Sequence, residues 1–167
     1  MFKEEMKEWK NKLEKKKKKI KRMEKKRYSQ KSEYQGEKEN GKCEGFGIMT
    51  GVGKLQGERY EGEFRNGEKN GKGIYFCSSG NKYEGEYRDG TRNGKGVYYC
   101  ENGDRYEGEF KNGNKNGRGL YYWMNGNRAE GEYVNGRPHG KMVFYYTNGI
   151  VEDQMYKEGV KVNVKEI

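Results

Sequence analysis

The 167 residues are only 30% hydrophobic, with mean hydropathy −1.43, 27 Gly and one Pro, which excludes a large aliphatic interior between two layers. Aromatics at 14%, including 15 Tyr, argue against the disorder that so polar a chain otherwise suggests. The net charge of +10 is uneven: residues 1–33 carry 15 Lys or Arg against 6 Asp or Glu, and the rest is close to neutral.

The basic N-terminal arm has helical spacing. Phe2, Met6, Trp9 and Leu13 share a face, and Met6, Trp9, Leu13, Lys16, Ile20 and Met23 step alternately by three and four. Glu8 with Lys12 and Glu14 with Lys18 add supporting pairs, so one basic amphipathic helix is expected over about residues 2–28. Packed on the sheet or on a neighbour, this helix contributes its narrow apolar stripe. Its alternative use is as an anchor on anionic lipid or an acidic protein surface. Phe2 and Trp9 would then insert, and each of Lys15, Lys16, Lys17, Lys18 and Lys19 would add about 1 kcal/mol near the bilayer. No apolar run is long enough to span a membrane, and the arm resembles neither a secretory signal nor an acid-poor mitochondrial presequence, so cytoplasmic residence is expected.

From Tyr34 onward the chain repeats with a period of 23 residues. The clearest copies begin at Tyr60, Tyr83 and Tyr106 as YEGEFRNGEKNGKG, YEGEYRDGTRNGKG and YEGEFKNGNKNGRG; a fourth begins at Ala129. A degraded copy precedes them with about three extra residues before Gly57, placing an insertion in a loop, and a half-copy through Glu152, Tyr156 and Gly159 follows. Within a copy, Tyr60, Gly62 and Phe64 alternate with Glu61, Glu63 and Arg65, as in a strand. Asn66-Gly67 and Asn70-Gly71 are read as closing a turn, Gly73–Cys77 as the second strand, and Ser79-Gly80-Asn81 as the turn into the next copy. The expected fold is all-β: an elongated single-layer antiparallel meander of about eleven strands after one helix. Its parts are a helical extension (1–33), the array (34–162) and a tail (163–167). With no second layer, tyrosine rings lying over the glycines must supply the covering.

The run YEGEF-x-NG-x-x-NGKG resembles the MORN (membrane occupation and recognition nexus) repeat over about residues 34–162, with Phe or Tyr for Trp at the fifth position. Asn70, Asn93 and Asn116 stand where the repeat usually has His, which remains only at His139. The resemblance implies a groove-like sheet used for recognition or assembly. It also implies a setting in cilia, axonemes or other cytoskeletal structures, or at membrane junctions.

Catalytic readings are weak. The glutamates from Glu61 to Glu132 recur identically in every copy, whereas catalysis needs one asymmetric site. They are expected to form a solvated face neutralised across the strands by Arg65, Lys82, Arg88, Arg105, Lys111 and Arg128. Cys43, Cys77 and Cys100 with a single His make no closed zinc site, and Cys77 and Cys100 fall two strands apart, too far for a disulfide. His139 is placed in a turn, and Gly51-Val52-Gly53-Lys54 lacks the spacing of a phosphate loop. No cofactor and no metal are expected.

The expected function is therefore a non-catalytic scaffold or adaptor in a ciliary or other cytoskeletal assembly, with a peripheral membrane tether as the alternative. An aromatic groove at Tyr87, Tyr98, Phe110 and Tyr121 is the expected site for a helical or extended segment of another protein. Nucleic acid is disfavoured because glutamates beside the rings repel phosphate.

Overall fold

The computed structural model describes residues 2–21, 23, 26–27 and 32–162. Residues 22, 24, 25 and 28 of the expected helix, and the expected tail at 163–167, lie outside the described residues. The described ladders are antiparallel, and the strands follow one another in chain order from β1 to β13. The all-β meander behind one helix is thus observed. Two compact units divide the chain, residues 1–91 and 92–167.

The first unit opens with α1 (Phe2–Ile20), shorter than the expected helix. β1 (Lys26–Arg27), inside the range read as helical, pairs with β2 (Ser32–Glu39). β3 (Lys42–Gly51), β4 (Arg59–Arg65), β5 (Glu68–Phe76) and β6 (Lys82–Arg88) continue the meander. The predicted insertion is a loop between β3 and β4 that holds one 3₁₀ turn, Gly53–Leu55.

The second unit holds β7 (Thr91–Tyr99, whose first residue ends the first unit), β8 (Arg105–Lys111), β9 (Asn114–Tyr122) and β10 (Arg128–Val134). β11 (Arg137–Tyr145), β12 (Val151–Lys157) and β13 (Val160–Val162) follow, the last two forming the expected half-copy.

Within a copy the hairpin closes through two residues in left-handed conformation, as at Asn66 (φ 52) and Gly67 (φ 91), because that twist matches the twist of the flanking strands, whereas the turns between copies use one such glycine, as at Gly80 (φ 86). The second Asn-Gly pair departs from expectation. Asn70-Gly71 lies inside β5, where the pairing slips between Gly62 and Phe64, so it forms a β-bulge and not part of the turn. The Glu63 carboxylate folds over Gly71 and occupies the space a side chain there would need. His139 likewise lies at the start of β11, not in a turn; its Nδ1 faces the Glu158 N–H of the next hairpin at 3.5 Å.

One face of each unit is aromatic. Tyr60 lies over Gly62 and Gly73, and its hydroxyl donates to the Glu63 carbonyl at 2.9 Å; Tyr34, Tyr83 and Tyr106 donate likewise to Glu37, Glu86 and Glu109. All four rings are at most 1% exposed. Burial, ahead of nearby carboxylates, raises the Tyr60 hydroxyl pKa well above the ordinary tyrosine range. Phe64, Tyr87, Phe110 and Tyr133 meet these rings edge-on, for example Tyr60 with Phe64 at 5.1 Å and Tyr106 with Tyr133 at 5.1 Å. The fourth copy solves the same packing differently. Ala129 replaces the tyrosine and Met142 the second glycine, and the Met142 sulfur fills the space above Gly131. Both Ala129 and Met142 are 1% exposed, so one long flexible side chain replaces the missing ring.

Candidate interaction surfaces

The opposite face carries the glutamates, and in the first unit it is covered. Cross-strand pairing sets Ile48 beside Glu61, Glu61 beside Ile74, and Ile74 beside Glu84, so aliphatic and acidic residues alternate across the strands. Met6, Trp9, Leu13 and Ile20 of α1 pack into one cluster with Phe46, Ile48 and Ile74. The polar residues of the helix meet the acidic ones. Lys17 pairs with Glu61 at 2.5 Å, Lys10 with Glu84, and Trp9 Nε1 donates to Glu63 at 2.8 Å.

This corrects the expectation of a wholly solvated glutamate face: Glu61 and Glu84 are only 4% and 6% exposed. Lys82 pairs with Glu84 at 2.9 Å and Arg105 with Glu107 at 3.0 Å, but each pair lies along one strand and not across two as expected. Arg65, Arg88 and Lys111 are exposed, and Arg128 lies over the Tyr145 ring at 4.2 Å. Burial works to raise the Glu84 pKa, but hydrogen bonds from Lys10 and Lys82 outweigh it and hold the carboxyl below its usual range. For Lys17, burial opposes the charge, while Glu14 and Glu61 more than compensate and raise its pKa.

The residues expected to touch a membrane or a partner therefore divide. Met6, Trp9 and Leu13 are buried and Phe2 is half-buried against the same cluster, so the apolar stripe is already used. Lys17 is half-buried, while Lys15, Lys16, Lys18 and Lys19 are exposed, Lys16 lying 4.4 Å from the Phe46 ring centroid and Lys19 3.8 Å from Glu37.

The expected groove residues also divide. Tyr87 and Phe110 are 6% and 4% exposed and act as packing elements. Tyr98 and Tyr121 are half-buried, with Arg92 5.3 Å from the first ring and Lys115 4.6 Å from the second. Burial among the rings lowers the Lys115 pKa. The Tyr121 hydroxyl donates to Asp104 at 2.9 Å, and the second oxygen of that carboxylate accepts the Met124 N–H at 2.9 Å.

Three aromatics missed from the sequence extend this surface in the second unit. Trp123 lies 4.9 Å from Tyr121 and 5.9 Å from Phe144, and Tyr146 and Tyr156 lie 6.4 and 6.2 Å from Phe144. All five rings are half-buried. Comparison of equivalent positions would have found two of them: Cys77, Cys100, Trp123 and Tyr146 share one place in the period, and it changes from thiol to ring late in the array. The three cysteines are not joined in disulfides; Cys43 is buried and the other two are half-buried.

Among the described residues no cluster of His, Cys, Asp or Glu could hold a metal ion, and no helix is long and apolar enough to cross a membrane. The family model for the MORN repeat matches residues 34–55, 60–82, 83–105, 106–128 and 130–151. The chain belongs to the MORN-repeat family. MORN repeats are protein- and membrane-interaction repeats of a non-enzymatic kind. No curated protein matches the chain. The matched MORN segments begin one or two residues into β2, β4, β6, β8 and β10, and they leave α1 outside the repeats.

Proposed function

We propose that this MORN-repeat chain is a non-catalytic adaptor that holds another protein against the aromatic face of its second unit. The observation that carries the reading is the contiguous patch of half-buried rings at Tyr121, Trp123, Phe144, Tyr146 and Tyr156. Rings with one side accessible give large contact area at little entropic cost, and clustered aromatics are where binding energy concentrates. The occupant is an extended or helical segment of a protein. Its setting in a ciliary or other cytoskeletal assembly is proposed from the family resemblance.

The lipid-tether alternative is weakened by α1: of the two residues expected to insert, Trp9 is 7% exposed against the sheet and Phe2 is half-buried on the same cluster. The test is proximity labelling in the source cell with the full chain and a Trp123→Ala, Tyr146→Ala variant of unchanged melting temperature. Loss of the protein neighbours found with the unaltered chain is expected. An identical set of neighbours would refute the aromatic face as the docking surface.

A further inference from the structure

We infer that the glutamate face of the second unit is a docking site for a basic amphipathic helix of another protein, bound as α1 is bound to the first unit. The inference rests on the adaptor reading but uses the opposite face of the sheet. The first unit shows what this face accepts. Its row Ile48–Glu61–Ile74–Glu84 takes the apolar stripe of α1 on the aliphatic residues and Lys17 and Lys10 on the acids.

The spacing explains the fit. Glu61 and Glu84 lie on β4 and β6, two strand spacings apart, or roughly 9.6 Å. Lys10 and Lys17 are seven residues apart on one helix, a rise of about 10.5 Å. A helix running across the strands with lysines one heptad apart therefore meets the acidic residue of every second strand.

The second unit repeats this row in full. Leu120 pairs with Glu107 on one side and Glu130 on the other, and Glu130 pairs in turn with Val143. Glu107 and Glu130 stand on β8 and β10, again two strands apart. Other contacts of α1 recur too: Glu63, which accepts from Trp9, corresponds to Glu109 and Glu132, and Lys72, which faces Glu5 at 3.5 Å, corresponds to Arg118 and Lys141.

The difference is in the covering. The described residues of the second unit contain no helix; Val97 beside Glu107 is buried, but from Leu120 onward the row opens, with Leu120 and Val143 half-buried, Glu130 exposed and Val151 beside Tyr145 58% exposed. Lys82 keeps its contact with Glu84 while Lys10 binds the same carboxylate. The Arg105–Glu107 pair is therefore no obstacle to a lysine from outside. The ligand is thus a helix with lysines seven residues apart on one side and apolar residues facing Leu120 and Val143.

The probe is a fluorescein-labelled peptide with the sequence of residues 2–21, titrated into the full chain with fluorescence anisotropy as the readout. Saturable binding is expected, at least tenfold weaker to Glu107→Lys, Glu130→Lys and about fivefold weaker to the milder Glu107→Gln, Glu130→Gln. A peptide with Lys10→Glu and Lys17→Glu should regain at least fivefold on the Lys-substituted chain. That rescue separates the second-unit face from exchange with the chain's own helix. Circular dichroism melts confirm that both variants fold. Absence of binding at millimolar peptide, or binding indifferent to both variants, overturns the inference without touching the aromatic-face test. Self-association of the unlabelled chain that the same variants abolish would assign the face to a second copy and overturn it equally.

Discussion

The glutamate faces of the two units use the same residue types in the same phase, yet they end in different environments. Ile74 is 7% exposed under α1, and its first counterpart Val97 is as buried, but the later counterparts Leu120 and Val143 are half-buried; Glu84 is 6% exposed, whereas Glu107 is half-buried and Glu130 exposed. The repeat therefore specifies which side chains share a face. An element outside the repeat decides whether that face is interior or surface.

The largest effect should come from the cover itself. Leu13→Ala removes a side chain 1% exposed and should cost about 2–5 kcal/mol of α1 docking, read by hydrogen exchange of Phe46–Ile48. Leu120→Ala should cost about 1 kcal/mol, since that site is already half open. Equal losses would abolish the contrast between the units.

The aromatic face should respond alike in both units. A side chain at Gly62 would meet the Tyr60 hydroxyl at 2.5 Å and the Gly73 Cα at 2.7 Å; at Gly108 it would meet the Tyr106 hydroxyl at 2.6 Å and the Gly119 Cα at 2.7 Å. Gly62→Val and Gly108→Val should each cost about 1–3 kcal/mol in a thermal melt. A much smaller loss at one site would show that the ring there is free to move.

Acidity separates the units more finely. The Glu84 pKa is lowered in the folded protein, so its contribution to stability is present above its ordinary value of 4.5 and is lost as pH falls from there through the folded value. α1 should loosen in that acid window, reported by Trp9 fluorescence in a Trp123→Phe background. Release already at pH 6 would assign the clasp to another group. The smallest difference is expected from charge removal at neutral pH. Glu84→Gln should cost about 1 kcal/mol, discounted because Lys10 is 40% exposed, while Glu130→Gln should stay within about 0.5 kcal/mol. Equal melting temperatures for the two would place Glu84 in solvent.

The hairpins were legible because their signals are local: alternation sets the faces, and Asn-Gly pairs mark left-handed backbone. The distinction between turn and bulge at Asn66-Gly67 and Asn70-Gly71 was not, since both pairs tolerate the same φ and only cross-strand pairing tells them apart. Burial of Glu61 and Glu84 was hidden for a related reason. Each looks like a solvated strand residue, and Lys10 reaches Glu84 across 74 positions of sequence. The row Ile48–Glu61–Ile74–Glu84 held the clue, because alternating aliphatic and acidic residues on one face suit neither water nor a purely apolar cover. For the candidate site, Tyr98 and Tyr121 were legible as a shared repeat position. Trp123 and Tyr146 were not, because their position in the period holds Cys77 and Cys100 in earlier copies and so carries no recurring aromatic signal.

The turn glycines also bond backward. The N–H of Gly90 donates to the Lys69 carbonyl, that of Gly113 to Arg92, that of Gly136 to Lys115 and that of Gly159 to Pro138, so each turn is latched to the hairpin before it. Since the latch uses backbone alone, any copy can follow any other. Duplicating or deleting one whole 23-residue module would leave every remaining latch intact. The number of modules is then a quantity that unequal recombination can adjust, lengthening the ruled surface in steps without redesign of the modules already there.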